Sequence, residues 1–145
     1  MKLIDDRPQA TGNRPQAERT FVSRIPSFKD LTVWKRSMDL VDRIYDLTQS
    51  YPSDERFGLV AETRKTARSI PCNVAEGKKR VSPNEYRRFV SIAAGSLGEL
   101  HTQLLIAARR KYFPSETLPK LEGEIEEIGK MLYGLERALS PSAGA

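Results

Sequence analysis

Two arginines on one predicted helix have the residue type and spacing that suit anion binding. Arg64 and Arg68 are four residues apart, which is about one helical turn. At this spacing both guanidinium groups can reach one phosphate, and each can hold it through parallel hydrogen bonds. The same two side chains could instead contact acidic residues of a neighbouring helix or subunit. The sequence leaves both interpretations open.

Basic residues are concentrated in the middle of the chain. The 145-residue sequence has a formal net charge of +5, but residues 56–111 contain twelve basic and four acidic residues, a net charge of +8. Residues 27–55 and 112–145 are both net acidic. This asymmetry favours an anionic partner such as a nucleic acid. The alternative is that lysine and arginine only solvate the outside of a helical protein.

The residues that usually build a catalytic or metal site are scarce. His101 is the single histidine and Cys72 the single cysteine, so the chain supports neither a multi-histidine metal site nor an internal disulfide. No motif supports a Cys72–His101 nucleophile and base, and we expect Cys72 to be a small buried hydrophobe. Glu76 and Glu99 could be paired carboxylates of a metal-dependent hydrolase, but the Glu-x-x-His pattern of bundle metal sites is missing. We expect each glutamate to neutralise a nearby arginine across helices or between subunits, and we expect no enzyme and no cofactor.

Four predicted helices with short connections must position these residues. Helices are predicted over about 31–49, from about 53 to 77, from 83 to about 111 and over about 117–139. Each has apolar residues at steps of three and four, and no stretch has the two-residue alternation of a strand. The sequence therefore predicts an all-α protein folded as an up-down-up-down four-helix bundle.

Proline and glycine mark the corner between the second and third helices. Pro71 predicts a kink in the second helix, and Gly77 predicts its end. Ser82 followed by Pro83 is a strong start for the third helix. The basic residues Lys78–Arg80 lie between these two signals.

A stripe of small residues runs along the third helix, roughly opposite its apolar face. Each glycine inside a helix costs about 1 kcal/mol relative to alanine, so two on one stripe require a reason such as close helix approach. Because apolar residues already account for the core face, we expect the stripe to form a subunit interface. Exposed, tolerated glycines are the alternative. The stripe consists of Ser91, Gly95, Gly98 and Thr102.

The two ends of the chain are predicted to lie outside the bundle. Residues 1–26 contain three prolines among polar residues without periodicity, which is typical of a flexible tail that is disordered or extended. We expect the bundle over residues 27–140 and a frayed C-terminus over 141–145. The chain has no run of 18 apolar residues and no apolar core of a signal peptide, so we expect a cytoplasmic protein.

Four short blocks of sequence resemble the bacterial four-helix bundle protein family. The blocks are FKDLTVW at 28–34, FGL at 57–59, SIPCNVAEG at 69–77 and GSLGEL at 95–100. That family includes proteins encoded in intervening sequences of 23S ribosomal RNA genes, and the accessory variability determinant of diversity-generating retroelements is similar to it. The resemblance covers about residues 28–139 and leaves out the N-terminal tail.

The resemblance implies a four-helix subunit that assembles into a barrel-like homopentamer without known catalytic activity. The retroelement relatives are basic proteins that bind nucleic acid and a cognate reverse transcriptase. A net charge of +5 is modest beside theirs, which favours the intervening-sequence branch or an orphan member. At the matching positions the resemblance implies a nucleic-acid-binding surface, to which charge alone adds the end of the third helix. The implied residues are Arg64, Arg68, Lys78, Lys79, Arg80, Arg87 and Arg88, and the added ones are Arg109, Arg110 and Lys111.

Together these observations predict a non-enzymatic, oligomeric protein that binds nucleic acid. We expect it to favour structured RNA and to contact the phosphate backbone rather than the bases. Tyr86 and Phe89 are expected in the core, so the basic region lacks an aromatic platform for single strands. The alternative is a protein-interaction scaffold, for example an accessory subunit of a reverse transcriptase, whose basic residues form interface ion pairs.

Overall fold

The computed structural model describes residues 27–141, and most of them are α-helical. The helices are α1 (Thr32–Thr48), α2 (Leu59–Lys79), α3 (Pro83–Arg109) and α4 (Thr117–Leu139). Single 3₁₀ turns at Phe28–Asp30 and Ser53–Glu55 precede α1 and α2. No strand occurs in this part of the chain, which confirms the predicted all-α class. The predicted tail at 1–26 and residues 142–145 lie outside the described residues.

Each helix packs against the next one in the sequence, and α1 also contacts α4 to close the bundle. The short connections make sequential neighbours antiparallel, so the topology is up-down-up-down. One end of the bundle therefore contains the α2–α3 corner. The opposite end contains the α1–α2 and α3–α4 connections. The most extensive contact is the one between α2 and α3.

One stripe of each helix forms the core. The apolar face predicted for α3 is buried from Tyr86 to Ala107. In α1 the apolar arc is wider than the buried stripe, and Met38 is exposed on its outer side. The buried residues of α1 are Val33, Ser37, Leu40, Ile44 and Thr48. Helix α1 thus leaves part of its predicted apolar arc at the surface.

Two ion pairs join the outer sides of α1 and α4. Arg36 pairs with Glu127, and Arg43 Nη2 lies 3.0 Å from Glu124 Oε2. Surface pairs of this kind contribute at most about 1 kcal/mol each. The contact between α1 and α4 therefore depends chiefly on buried apolar side chains. No helix within residues 27–141 combines the length and the apolar character needed to cross a membrane.

Helix α2 begins later than the sequence analysis predicted. Residues 53–55 form a 3₁₀ turn, and the α-helix starts at Leu59. The N–H of Leu59 donates to Glu55 Oε1 at 3.0 Å. The Glu55 carboxylate therefore accepts from a free N–H group at the start of α2, and it does so from the preceding 3₁₀ turn rather than from the first turn of the helix.

Helix α2 continues through Pro71, which is buried. Pro71 has no N–H to donate to the carbonyl of Ala67. Two polar side chains on either side bond to backbone carbonyls: Ser69 Oγ donates to Thr66 O, and Asn73 Nδ2 donates to Ser69 O, both at 2.7 Å. The proline interrupts one backbone hydrogen bond but does not end the helix.

The prediction that Gly77 ends α2 was wrong. The helix extends to Lys79, and Gly77 is buried within its last turns. A β-carbon at Gly77 would lie 2.9 Å from Phe89 Cβ and 3.0 Å from Tyr86 Cδ1. Glycine is therefore required for the close approach of α2 to α3. Its role in helix packing, not helix termination, explains its position.

The prediction that Cys72 is buried was also wrong. Its side chain is exposed on the outer side of α2, although Pro71 beside it is buried. A helix turns by about 100° per residue, so a residue next to a buried one can face solvent.

Candidate nucleic-acid interface

The basic residues predicted to bind nucleic acid lie in three separate places. Arg109–Lys111 lie at the end of α3 that is distant from the α2–α3 corner. Helix α3 has 27 residues, so its ends are about 40 Å apart at about 1.5 Å per residue. Arg64 and Arg68 lie along α2 and contact α1. The fold therefore does not bring all ten predicted residues into one surface.

Arg64 is bound to the end of α1. Its Nε donates to Thr48 Oγ1 at 2.8 Å, and its Nη2 donates to the carbonyl of Tyr45 at 3.2 Å. The guanidinium carbon also lies 4.7 Å from the centre of the Tyr45 ring. These contacts satisfy polar groups near the C-terminus of α1. Arg64 consequently has a clear structural role within the chain.

Arg68 contacts the same tyrosine but remains exposed. Its Nη1 donates to the hydroxyl oxygen of Tyr45 at 2.7 Å. Within the described chain, the partners of Arg64 and Arg68 are thus neutral groups on α1 rather than acidic side chains. Both guanidinium groups contact Tyr45, and Arg64 is held by Thr48 as well.

The basic corner is the surface formed by Lys78, Lys79, Arg80, Arg87 and Arg88. It comprises the last turn of α2 and the first turns of α3. The Ser82 hydroxyl oxygen accepts a hydrogen bond from Glu85 N at 3.4 Å and caps α3 as predicted. The corner therefore consists of two helix ends joined by a short, capped connection.

Arg80 organises the corner through contacts within the chain. Its Nη2 lies 2.7 Å from Glu76 Oε2, and its Nε lies 4.0 Å from Glu85 Oε1. Its guanidinium carbon is 4.8 Å from the centre of the Phe89 ring. Glu76 thus pairs with an arginine, as expected, but this arginine follows four residues later at the end of the same helix rather than lying on another helix or subunit. Because two carboxylates balance the charge of Arg80, its main effect is to position the corner.

The solvent-facing charge of the corner comes from Lys79, Arg87 and Arg88. Lys79 and Arg88 are exposed, and Arg87 is half-buried. The guanidinium carbon of Arg88 lies 5.0 Å from the centre of the Phe89 ring, which restricts its orientation. No carboxylate of residues 27–141 forms an ion pair with these three side chains. Lys78 is half-buried, and this burial lowers the pKa of its ammonium group.

Lys111 has an unusual backbone conformation at the end of α3. Its φ is 61°, in the left-handed region that usually favours glycine. The N–H of Lys111 donates to Ala108 O, and the N–H of Tyr112 donates to Ala107 O, both at 3.0 Å. These bonds satisfy carbonyls at the helix C-terminus and end α3 with a tight turn.

A long-range contact joins the two connections at this opposite end. The Tyr112 hydroxyl donates to Glu55 Oε2 at 2.9 Å, between residues that are 57 apart in sequence. The pKa of the Glu55 carboxyl is lowered from its usual 4.5, first by the Leu59 N–H, then by the Tyr112 hydroxyl, with a smaller effect from the charge of Arg110. The sequence analysis missed this contact. An acidic residue four positions before a helix start was the signal that could have revealed half of it.

All four residues of the small-residue stripe on α3 are exposed. Ser91, Gly95, Gly98 and Thr102 face outward, and a β-carbon at either glycine would have no neighbour within 4 Å in the described chain. Thr102 Oγ1 donates to Gly98 O at 3.0 Å within the same helix. Exposed apolar side chains lie along the same outer side of α3. They are Ile92, Leu105 and Ile106.

The residues considered for catalysis do not converge. His101 Nε2 lies 2.7 Å from Glu122 Oε2, which joins α3 to α4. Glu99 is exposed on α3, whereas Glu76 on α2 pairs with Arg80. Among residues 27–141, no group of three or more histidine, cysteine or carboxylate side chains could hold a metal ion.

Comparison with models of protein families identifies the family of this chain. A family model described as "23S rRNA-intervening sequence protein" matches residues 29–134. The chain belongs to this family. The match confirms the resemblance to proteins of 23S rRNA intervening sequences, and it covers most of the bundle, including the whole basic corner. No curated protein sequence matches the chain significantly.

Among the three groups of basic residues, the α2–α3 corner is the best-organised surface. Its side chains come from two helices that touch closely at Gly77. Lys79 and Arg88 of the corner are exposed without a carboxylate partner in the described chain, whereas Arg64 is held by α1.

Proposed function

We propose that this protein is a non-enzymatic RNA-binding protein of the cytoplasm. Its basic corner contacts the phosphates of a structured RNA. One observation carries the proposal. Lys79 and Arg88 are exposed and Arg87 is half-buried at a closely packed junction of two helices, and none of the three has a carboxylate partner in the described chain. Cationic side chains held in this way neutralise phosphates without a large loss of conformational freedom.

The family description supports RNA as the ligand. It relates the family's members to intervening sequences of 23S rRNA, and the basic corner lies within the matched residues. Arginine forks match the geometry of phosphate oxygens, which suits contact with a folded RNA backbone. The corner presents no exposed aromatic ring on which a base could stack, so its binding should depend chiefly on shape and charge.

We further propose that the protein acts as a homo-oligomer, with the outer side of α3 as a subunit interface. The exposed glycines Gly95 and Gly98 would allow the backbone of a second helix to approach closely. Ile92, Leu105 and Ile106 would supply apolar contact around them. The homopentamer remains the stoichiometry that the family resemblance implies. Several basic corners in one assembly would strengthen binding to a single RNA by multivalency.

Fluorescence anisotropy with a labelled, folded RNA tests the proposal. The test variant is Lys79→Gln/Arg87→Gln/Arg88→Gln, which removes three positive charges but leaves Arg80 in its contacts. The matched control is Lys35→Gln/Lys120→Gln/Lys130→Gln, which removes three exposed charges on α1 and α4. We expect the test variant to bind at least about tenfold more weakly and the control to change affinity only slightly. An equal effect of the two variants, or no effect of either, would contradict the proposal.

A protein-interaction scaffold is the second candidate, and one observation favours it. Val81, between Arg80 and Ser82, is completely exposed at the tip of the corner. An apolar residue with cationic neighbours could contact another protein, such as a reverse transcriptase served by an accessory subunit. Under this alternative the charge variants would leave nucleic-acid binding unchanged, and Val81→Asp would abolish capture by a purified partner.

A further inference from the structure

Phe57 is an aromatic side chain that the fold leaves almost fully exposed. It is 87% exposed in the connection between α1 and α2, whereas the nearby Tyr51 is buried. The guanidinium carbon of Arg56 lies 5.3 Å from the centre of the Phe57 ring. A large exposed aromatic ring beside a cation is a feature of surfaces that recognise flat, anionic ligands.

Further cations are brought to the same end by the turn that follows α3. Arg110 and Lys111 are exposed there. The Tyr112 hydroxyl bond to Glu55 fixes this turn against the connection that carries Phe57. Glu55 also accepts from Leu59 N, so both oxygens of its carboxylate are engaged. The surface formed by Arg56, Phe57, Arg110 and Lys111 is named the aromatic end.

The conformation of Lys111 gives independent support for a role of its side chain. A lysine at a φ of 61° occupies a position where glycine would relieve strain. A purely structural turn would gain stability from glycine. The cost of lysine at this position is consistent with a function that needs its charge.

We infer that the aromatic end is a second RNA contact, in which Phe57 stacks on an unpaired base and the neighbouring cations hold the adjoining phosphates. The inference rests on the proposed function, which gives RNA as the ligand. It adds that the protein recognises unpaired nucleotides in a loop or at an end of the RNA. Its location is the end of the bundle opposite the basic corner. A folded RNA could therefore contact both ends of α3, which are about 40 Å apart.

The composition of the aromatic end favours a nucleotide over a protein segment. Phe57 is the single exposed aromatic ring of the α1–α2 connection, which provides area for one base rather than for an apolar peptide face. Asp54 and Glu116 are exposed carboxylates at the same end, so positive charge is less dominant there than at the corner. Base stacking must then supply much of the interaction, and stacking requires an unpaired base.

Two RNA probes and three substitutions of Phe57 test this inference. One probe is a hairpin with an unpaired loop, and the other is a blunt duplex with the same number of phosphates. The substitutions are Phe57→Ala, Phe57→Leu, which keeps an apolar side chain without a ring, and Phe57→Trp, which keeps the ring. We expect the wild-type protein to prefer the hairpin. We expect Ala and Leu to weaken hairpin binding about tenfold and Trp to preserve it.

The duplex separates this inference from the proposed function. Duplex binding depends on the basic corner, so it should be unaffected by all three substitutions at Phe57. If duplex binding requires Lys79, Arg87 and Arg88 but hairpin binding ignores Phe57, the inference is overturned and the proposed function stands. If neither RNA binds, the proposed function fails and the inference fails with it.

Two further measurements distinguish RNA binding by the aromatic end from a purely structural role. Lys111→Gly should keep or raise the unfolding midpoint in urea, because it relieves the positive φ, while hairpin binding weakens several-fold. Light scattering should show the same assembly mass for Phe57→Ala and the wild type. A lower mass, or retention of hairpin binding by Phe57→Leu, would identify Phe57 as an apolar protein contact and overturn the inference.

Discussion

A β-carbon at Gly77 would lie 2.9 Å from the Cβ of Phe89. This distance means that α2 and α3 approach each other at the corner more closely than any other residue at 77 would permit. The Phe89 ring is in turn the surface on which the guanidinium groups of Arg80 and Arg88 lie. The close contact between α2 and α3 at Gly77 therefore positions the Phe89 ring and, through it, these two arginines of the basic corner.

Gly77→Ala should destabilise the protein. The added methyl group meets Phe89 Cβ and Tyr86 Cδ1, so the helices must separate, at a cost of about 1–3 kcal/mol. Gly123→Ala is the control, because a β-carbon there has no neighbour within 4 Å in the described chain. It should stabilise the helix by up to about 1 kcal/mol. Urea unfolding measures both, and a similar sign for the two variants would count against close packing at Gly77.

Arg64 should contribute to stability rather than to RNA affinity. Arg64→Ala removes hydrogen bonds to Thr48 Oγ1 and Tyr45 O, for an expected loss of about 1–2 kcal/mol. Arg64→Lys should not restore stability, because an ammonium group cannot reproduce the guanidinium fork. Thermal unfolding and RNA anisotropy should be measured together. A large loss of RNA affinity in folded Arg64→Ala protein would show that this arginine serves the ligand instead.

Acid should weaken the contact between Glu55 and Tyr112. The pKa of Glu55 is lowered in the folded chain below its usual 4.5. The group therefore stabilises the fold above pH 4.5, and this contribution is lost as the pH falls through the folded-state pKa. Tyr112→Phe removes one of the two hydrogen bonds to this carboxylate. The difference in unfolding midpoint between wild type and Tyr112→Phe should thus shrink on acidification, and a constant difference would exclude this linkage.

The outer side of α3 should be required for self-association. Gly98→Leu places a large side chain where the proposed interface needs a close approach, so the assembly should dissociate to smaller species. Gly123→Leu on α4 is the matched control, because Gly123 is likewise exposed without a neighbour within 4 Å of the described chain. Light scattering after gel filtration gives the mass. Unchanged assembly of Gly98→Leu would place any interface elsewhere.

The sequence predicted the four helices because their apolar periodicity is long and regular. Helix α4 begins and ends where the spacing of its leucines and isoleucines indicated, and Ser82 caps α3 as its type predicted. The periodicity of apolar residues indicates which side of each helix is buried. For four sequential helices with short connections, this information is sufficient to predict a helical bundle. It also identified the outward position of Gly95 and Gly98 relative to the core of the chain.

The errors arose where a residue type has two physical uses. Glycine permits both a helix end and a close helix contact, and Gly77 serves the second. Arginine also has two uses, because it can bind phosphates and satisfy backbone carbonyls. The sequence left both open for Arg64, and the structure adds its hydrogen bond to the carbonyl of Tyr45. The contact between Tyr112 and Glu55, which brings Phe57 and Arg110 to the same end of the bundle, depends on how two distant connections meet. Local sequence patterns carry no information about such a meeting.

The salt dependence of RNA binding tests the central claim most directly. The logarithm of the association constant of a folded RNA should fall linearly with the logarithm of salt concentration, because phosphate neutralisation releases counterions. Removing the charges of Lys79, Arg87 and Arg88 should make this slope shallower by about two to three, whereas the Lys35, Lys120 and Lys130 control should retain the wild-type slope. Equal slopes for all three proteins would show that the basic corner does not contact the phosphate backbone.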